Sequence, residues 1–250
     1  MASAREESLD ELNAEIVACR KCPRLVAYRE QVAKEKRRAF QEWNYWGKPV
    51  PGFGDPDAQL LILGLAPAAN GGNRTGRVFT GDRSGDFLYD ALYRGGFANQ
   101  PTSTHRGDGL TLTNAYVAAV ARCAPPENKP LPSELANCRP YLERELGILR
   151  PRAILALGRV AMISYLEVLK REGKIKSYAA FPFAHGASFG LGGDLRLFVS
   201  YHPSQRNTFT GTLTQPMLIG VLRNIRRFLE GGGKHEGTGR KAAGTKSKRE

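Results

Sequence analysis

Leu60, Leu61, Ile62 and Leu63, with Gly64 directly behind them, constrain this chain more than any other stretch. Four large aliphatics in a row are too few for a helix of their own and suit a strand covered on both faces, as inside a parallel sheet. The chain then turns through Gly64 and Pro67 and passes Gly71, Gly72, Gly76, Gly81 and Gly85 before residue 87, so its backbone can lie close against a ligand or another backbone. Asn70, Asn73, Arg74, Arg77, Phe79, Asp82 and Arg83 stand in the same stretch. A loop that long and that chemically mixed reads as a binding loop joining a buried strand to a helix.

Further along, TLTNAYVAAVAR reads as a second strand around Asn114, AILALG at 153–158 as a third and LRLFVSYHPS at 195–204 as a fourth. Helices are expected over 8–38, 84–93, 133–149, 159–171 and 213–229, with Ser133 as an N-cap. Strands alternating with helices predict the α/β class, a parallel sheet with helices on both faces. Ligands bind beyond the carboxyl ends of such strands. The sequence puts those ends at Gly64, Asn114, Gly158 and His202 onward.

With 250 residues and 41% hydrophobic composition the chain can bury one sizeable core, and a single domain over 1–230 is expected. No run approaches the roughly 18 apolar residues of a spanning helix, and the start MASAREESLDELNAE is acidic and polar rather than a secretory signal. A cytoplasmic protein with no membrane partner is the expectation. Past Leu229 no apolar residue is larger than alanine, which predicts a disordered basic tail over 231–250. The net charge is +13; residues 234–250 account for +4, with six basic and two acidic side chains, so the body itself is basic. That favours a polyanionic partner, nucleic acid before membrane.

Four cysteines in a reducing compartment are poor candidates for disulfides. Cys19 and Cys22 form a C-x2-C pair at helical spacing, with Pro23 breaking the helix behind them; Cys123 lies in a Pro-rich loop and Cys138 in a helix. Together they can close an all-thiolate site. Zinc and an iron–sulfur cluster both accept four thiolates, and one tight pair with two singles leans towards iron and sulfur.

GLAPAANGGNRTGRVFTGDRSG, the cysteine order, TNAYVAAVARCAPPENKPLP and YHPSQRNTFTGTLT together resemble the uracil-DNA glycosylase superfamily, and within it the iron–sulfur family 5 enzymes. The resemblance covers nearly all of residues 10–230. It implies a three-layer α/β/α sandwich with a central four-stranded parallel sheet, a [4Fe–4S] cluster on Cys19, Cys22, Cys123 and Cys138, and a monomeric base-excision repair enzyme. Such an enzyme flips uracil or another deaminated or modified base out of DNA and hydrolyses its glycosidic bond, leaving an abasic site. It also implies roles. Phe79 stacks on the extruded base, Asn114 bonds the pyrimidine edge, and His202 donates to the uracil O2 oxygen as charge gathers there. Ala66 and Ala68 line the base pocket. Arg74, Arg77, Gln205, Arg206 and Asn207 are assigned to DNA, and the loop 205–214 to the space left by the flipped base.

Ala66 stands where sister families carry Asp or Asn to orient the attacking water, and Leu65 where family 4 enzymes carry Glu. Family 5 shares that absence, which leaves Asp82 as the best carboxylate to place water or stabilise the sugar cation, with Asn128 as a second candidate. The same Asp82 is placed to cap the helix that follows. Asn70 replaces an expected His, and Ala68 a commoner Gly. Two readings compete: a family 4-like enzyme restricted to uracil, and a non-catalytic DNA-binding protein on this fold.

Overall fold

In the computed structural model, which describes residues 3–231, six strands form one sheet: β1 (Phe53–Gly54), β2 (Leu60–Gly64), β3 (Ala115–Ala119), β4 (Ala153–Leu157), β5 (Ser188–Gly190) and β6 (Arg196–Ser200). Their order is β1-β3-β2-β4-β6-β5. The four central strands are parallel, and the two short edge strands, which sequence reasoning did not foresee, run antiparallel to β3 and β6. Residues 232–250, nearly all of the predicted tail, lie outside the described residues.

Side chains alternate across a strand, and the burial follows that period. Leu60 and Ile62 of β2 join Val117, Leu155 and Phe198 in one core. Leu61 and Leu63 join Ala118, Ile154 and Val199 in the other. Helices α4 (Arg83–Arg94) and α8 (Gln215–Leu229) cover the first face; α5 (Pro132–Leu149) and α6 (Arg159–Arg171) cover the second, with α1 (Ala4–Ala18) packed on α5. Each buried Leu or Ile of β2 contributes roughly 1.5–3 kcal/mol by leaving water, so the run at residues 60–63 anchors both cores at once.

Three local expectations are corrected. Residues 8–38 are two helices, α1 and α2 (Pro23–Glu35), because the residue before a proline avoids helical dihedrals. Cys22 is extended (φ −115°, ψ 92°), Cys19 is extended too, and Pro23 opens α2, so the CRKC segment bridges two helices. Ser133 is not a cap: α5 begins with Pro132, and the Glu134 carboxylate accepts the Leu131 N–H at 2.7 Å. The loop after β6 holds a short helix, α7 (Gln205–Phe209), with Ser204 as its cap. No helix among the described residues is long and apolar enough to cross a membrane.

Candidate active site

Beyond the carboxyl ends of β2 and β6 lies a cavity of about 540 Å³ lined by Leu65, Ala66, Ala68, Phe79, Asp82, Ser84, Asn128, His202, Ser204, Gln205 and Arg206. Eight of the residues singled out from the sequence for base or catalysis or DNA meet there, from three separate loops. A second cavity of about 470 Å³ shares Ala68, Asp82, Asn128 and Gln205 with it. Asp82 and Asn128 therefore stand on the wall between the two.

Asp82 is the N-cap of α4: its Oδ1 accepts the backbone N–H of Ser84 (2.9 Å) and Gly85 (3.0 Å). Oδ2 faces Gly71, where a Cβ would come within 2.0 Å of it, so the glycine makes the room. The carboxyl is pushed above its ordinary range because burial outweighs the two N–H bonds that favour the anion. The loop itself is braced by Arg74 and by α3 (Gly72–Thr75). Arg74 donates to the carbonyls of Asn70 and Gly81, both at 2.8 Å, while its guanidinium lies between the rings of Phe40 and Trp43, 4.0 Å from each.

Opposite Asp82, burial alone drives the His202 imidazole down to about 4, so at neutral pH it is uncharged. Its backbone carbonyl accepts from Asn207 Nδ2 (2.8 Å), and neither ring nitrogen has a hydrogen-bond partner among the described residues. The Phe79 ring lies 5.8 Å from the imidazole, tilted by 33°. Gly64 must lack a Cβ for that ring to sit where it does, since a Cβ would meet Phe79 Cε2 at 2.5 Å. Phe79, Glu127 and Asn128 all have positive φ (49°, 54° and 56°). Non-glycine residues held there cost on the order of 1–3 kcal/mol each, and such strain collects at functional sites. Here it aims a ring and an amide into one cavity.

Four of the remaining assignments move. Asn114 is not at a carboxyl end: with φ 55° it cannot continue a strand, and β3 starts one residue later. Its Oδ1 accepts Gln59 N–H (2.8 Å) and its N–H goes to Asp55 (2.7 Å), at the amino edge of the sheet. A five-residue strand separates it from the cavity edge by roughly 16 Å, so the amide that lines the cavity is Asn128. Arg74 and Arg77 are buried and cannot reach a DNA backbone. Arg77 bonds Thr80, Ser103 and Asp108, the last at 2.6 Å. Asn207 holds the His202 carbonyl rather than lining the cavity, whereas Gln205 and Arg206 stand exposed on the rim. The exposed side chain that sequence reasoning missed is Phe209, 67% accessible at the end of α7, with the Arg83 guanidinium 5.3 Å from its ring.

The Arg77–Asp108 pair fixes the loop from below and makes a stability prediction. Burial alone would raise the Asp108 carboxyl, but the Arg77 bond and the N–H groups of Thr104 and Leu110 override it and hold it well below the usual range. A carboxyl depressed in the folded state stabilises above its unfolded value, about 3.9, and that contribution fades as pH falls below it. Asp108→Asn is expected to lower unfolding free energy by about 2–3 kcal/mol at pH 7, because a buried guanidinium loses its counter-charge. In urea denaturation the gap between variant and wild type should narrow progressively as pH falls below about 4.

The four free thiols of Cys19, Cys22, Cys123 and Cys138 line one small pocket with Leu25, Val26, Arg29 and Arg122. Helix ends and a Pro-rich loop, distant in sequence, thus converge. Burial pushes the Cys123 thiol up to about 12 and raises Cys138, so these groups are neutral thiols unless a metal takes their protons' place. Asn137 Nδ2 donates to Cys22 Sγ (3.4 Å) and Arg29 Nη1 to Cys123 Sγ (2.9 Å). Among the described residues no group of three or more His, Cys, Asp or Glu side chains is set around a single metal ion. In an iron–sulfur cluster each thiolate binds its own iron, and the four need not meet at one point.

Comparison with known proteins agrees with this geometry. The sequence model of the "Uracil DNA glycosylase superfamily" matches residues 51–226, a span that takes in the sheet from β1 to β6 and every lining residue of the cavity. The chain is 51% identical to the type-5 uracil-DNA glycosylase of Thermus thermophilus, over 85% of this chain and 94% of that one. It is 50% identical to the type-5 uracil-DNA glycosylase of Mycobacterium bovis, over 88% and 82%. Identity to the type-4 uracil-DNA glycosylase of Pyrobaculum aerophilum is 30%, over 90% and 94%. The chain belongs to the uracil-DNA glycosylase superfamily, and within it to the type-5 group.

Proposed function

We propose that this protein is a monofunctional DNA glycosylase that hydrolyses the N-glycosidic bond of uracil, and of other deaminated or modified bases, leaving an abasic site. The observation that carries the reading is the single cavity in which Phe79, Asn128, Asp82 and His202 meet. An extruded base stacks on Phe79, and Asn128 offers it a donor and an acceptor from one amide. The neutral His202 donates to the base oxygen on which negative charge gathers, and Asp82 faces the positive charge that develops on the sugar or holds the attacking water. The breadth of bases rests on Ala66 and Ala68, whose small side chains leave a cavity of a volume suited to ligands larger than a pyrimidine ring.

Gln205 and Arg206 on the rim contact the DNA backbone, and the exposed Phe209 ring fills the gap left in the stack. For the cysteines the reading is a [4Fe–4S] cluster that ties α1, α2 and α5 together, and four reduced thiols suit a cytoplasmic enzyme.

The test is excision from a uracil-containing duplex, read as alkali-labile strand cleavage, with iron and sulfide measured on the same preparation. Uracil release and a brown, iron-loaded protein are expected; an intact strand sinks the glycosylase, and zinc without iron sinks the cluster. Phe209→Ala should slow excision from duplex about tenfold while leaving single-stranded substrate nearly unaffected, because only a duplex has a stack to refill.

A further inference from the structure

Arg29 is 2% exposed, on the inner side of α2. The other buried arginines have their compensation close by. Arg122 pairs with Glu145, Arg77 with Asp108, and Arg74 lies between two aromatic faces. Among the described residues Arg29 has neither a carboxylate at ion-pair distance nor a ring over its guanidinium. Its donors go to Cys123 Sγ (2.9 Å) and to the Cys19 carbonyl (3.2 Å), and its Nε is buried with no partner. Neutral thiols do not compensate a buried cation. A thiolate-bound centre does, because four thiolates bring negative charge to the place the guanidinium faces.

The same residue reaches the base cavity. Asn73, fully buried, donates its side-chain amide to the Arg29 carbonyl (3.2 Å) and its backbone N–H to the Ala68 carbonyl (3.1 Å). Ala68 lines the cavity, six residues before the Arg74 that grips Gly81 beside Asp82. One line of contacts therefore runs from Cys123 through Arg29 and Asn73 to the wall of the base site.

We propose that Arg29 is the counter-cation of the four-cysteine centre and, through Asn73, the tie between that centre and the loop that carries Ala68 and Asp82. The inference rests on the cluster reading given above. It makes the state of the cysteine centre felt in the base site, since losing the negative charge leaves Arg29 buried against neutral thiols and loosens the helix that Asn73 holds.

The test uses the full chain, purified with its cluster, as wild type, Arg29→Met and Arg29→Lys. Iron per chain is measured first, then the potential of the one-electron couple, the electron coming from the electrode and no proton moving, and then amide exchange over residues 68–76. Removing a positive charge disfavours the reduced form. Arg29→Met is expected to shift the redox equilibrium about tenfold, lowering the potential by about 59 mV, with Arg29→Lys in between. Amides at 68–76 should exchange about tenfold faster in Arg29→Met while those of β2 and β4 stay unchanged. Loaded variants with wild-type potential and wild-type exchange overturn the proposal. If Arg29→Met does not retain iron, Arg29→Lys carries both measurements under the same criteria. A wild-type protein without iron sinks the cluster reading itself, before any variant is compared.

Discussion

Replacing Asp82 by Asn is expected to slow excision by about two to three orders of magnitude, the usual consequence of removing one group that stabilises transition-state charge. Asn is the informative substitution. Asp82 caps α4 through its Oδ1, and Asn caps a helix about as well as Asp, whereas Ala would add roughly 1 kcal/mol of lost capping to any loss of chemistry. Asp82→Asn should therefore unfold at nearly the wild-type denaturant concentration while single-turnover excision falls. The pH profile adds an independent signature. Burial raises the Asp82 carboxyl, so the acid limb of kcat/KM should lie above the ordinary carboxylate range and vanish in Asp82→Asn. Wild-type rates in this variant would pass the role to Asn128, which shares the same wall of the cavity.

His202→Ala should also lower the single-turnover rate about 10²- to 10³-fold, with affinity for abasic DNA little changed, because the imidazole acts on charge that exists only as the bond breaks. Its ring is neutral down to about 4, so no limb from this histidine is expected between pH 5 and 8 in the free enzyme. The stability consequence has a definite sign. A histidine whose folded value lies below its unfolded value of about 6.5 binds its proton more readily when unfolded. It therefore destabilises the native state progressively as pH falls from about 6.5 towards 4. His202→Ala should be less acid-labile than wild type across that window, measured by thermal unfolding at stepped pH. A variant that loses abasic-site binding in proportion to its rate would make His202 a ground-state contact instead.

Gln205 and Arg206, exposed on the cavity rim, and the buried Arg74 and Arg77 carried the same sequence signal, a polar or basic side chain in a glycine-rich or helix-opening loop. Only packing separated them. Arg74 finds Phe40 and Trp43, more than thirty residues upstream, and Arg77 finds Asp108, thirty-one residues downstream. Loop composition does not encode such meetings.

What the sequence determined by itself was the framework: a strand covered on both faces at Leu60 to Leu63, the alternation of strands and helices that builds a parallel sheet, and Phe79, Asp82 and His202 beyond the carboxyl ends of its strands. Those follow from local pattern and from the geometry every parallel sheet shares. The tertiary structure decided the rest. A single positive φ at Asn114 starts β3 one residue late and leaves that amide at the amino edge of the sheet, while the strained turn at Glu127 and Asn128 brings another amide into the cavity. Likewise the four cysteines were legible as candidates, but their convergence depended on Pro23 splitting the first helix and on α5 packing against α1. Residues far apart in a chain are brought together by burial of their neighbours, and that is a property of the whole core rather than of any one stretch.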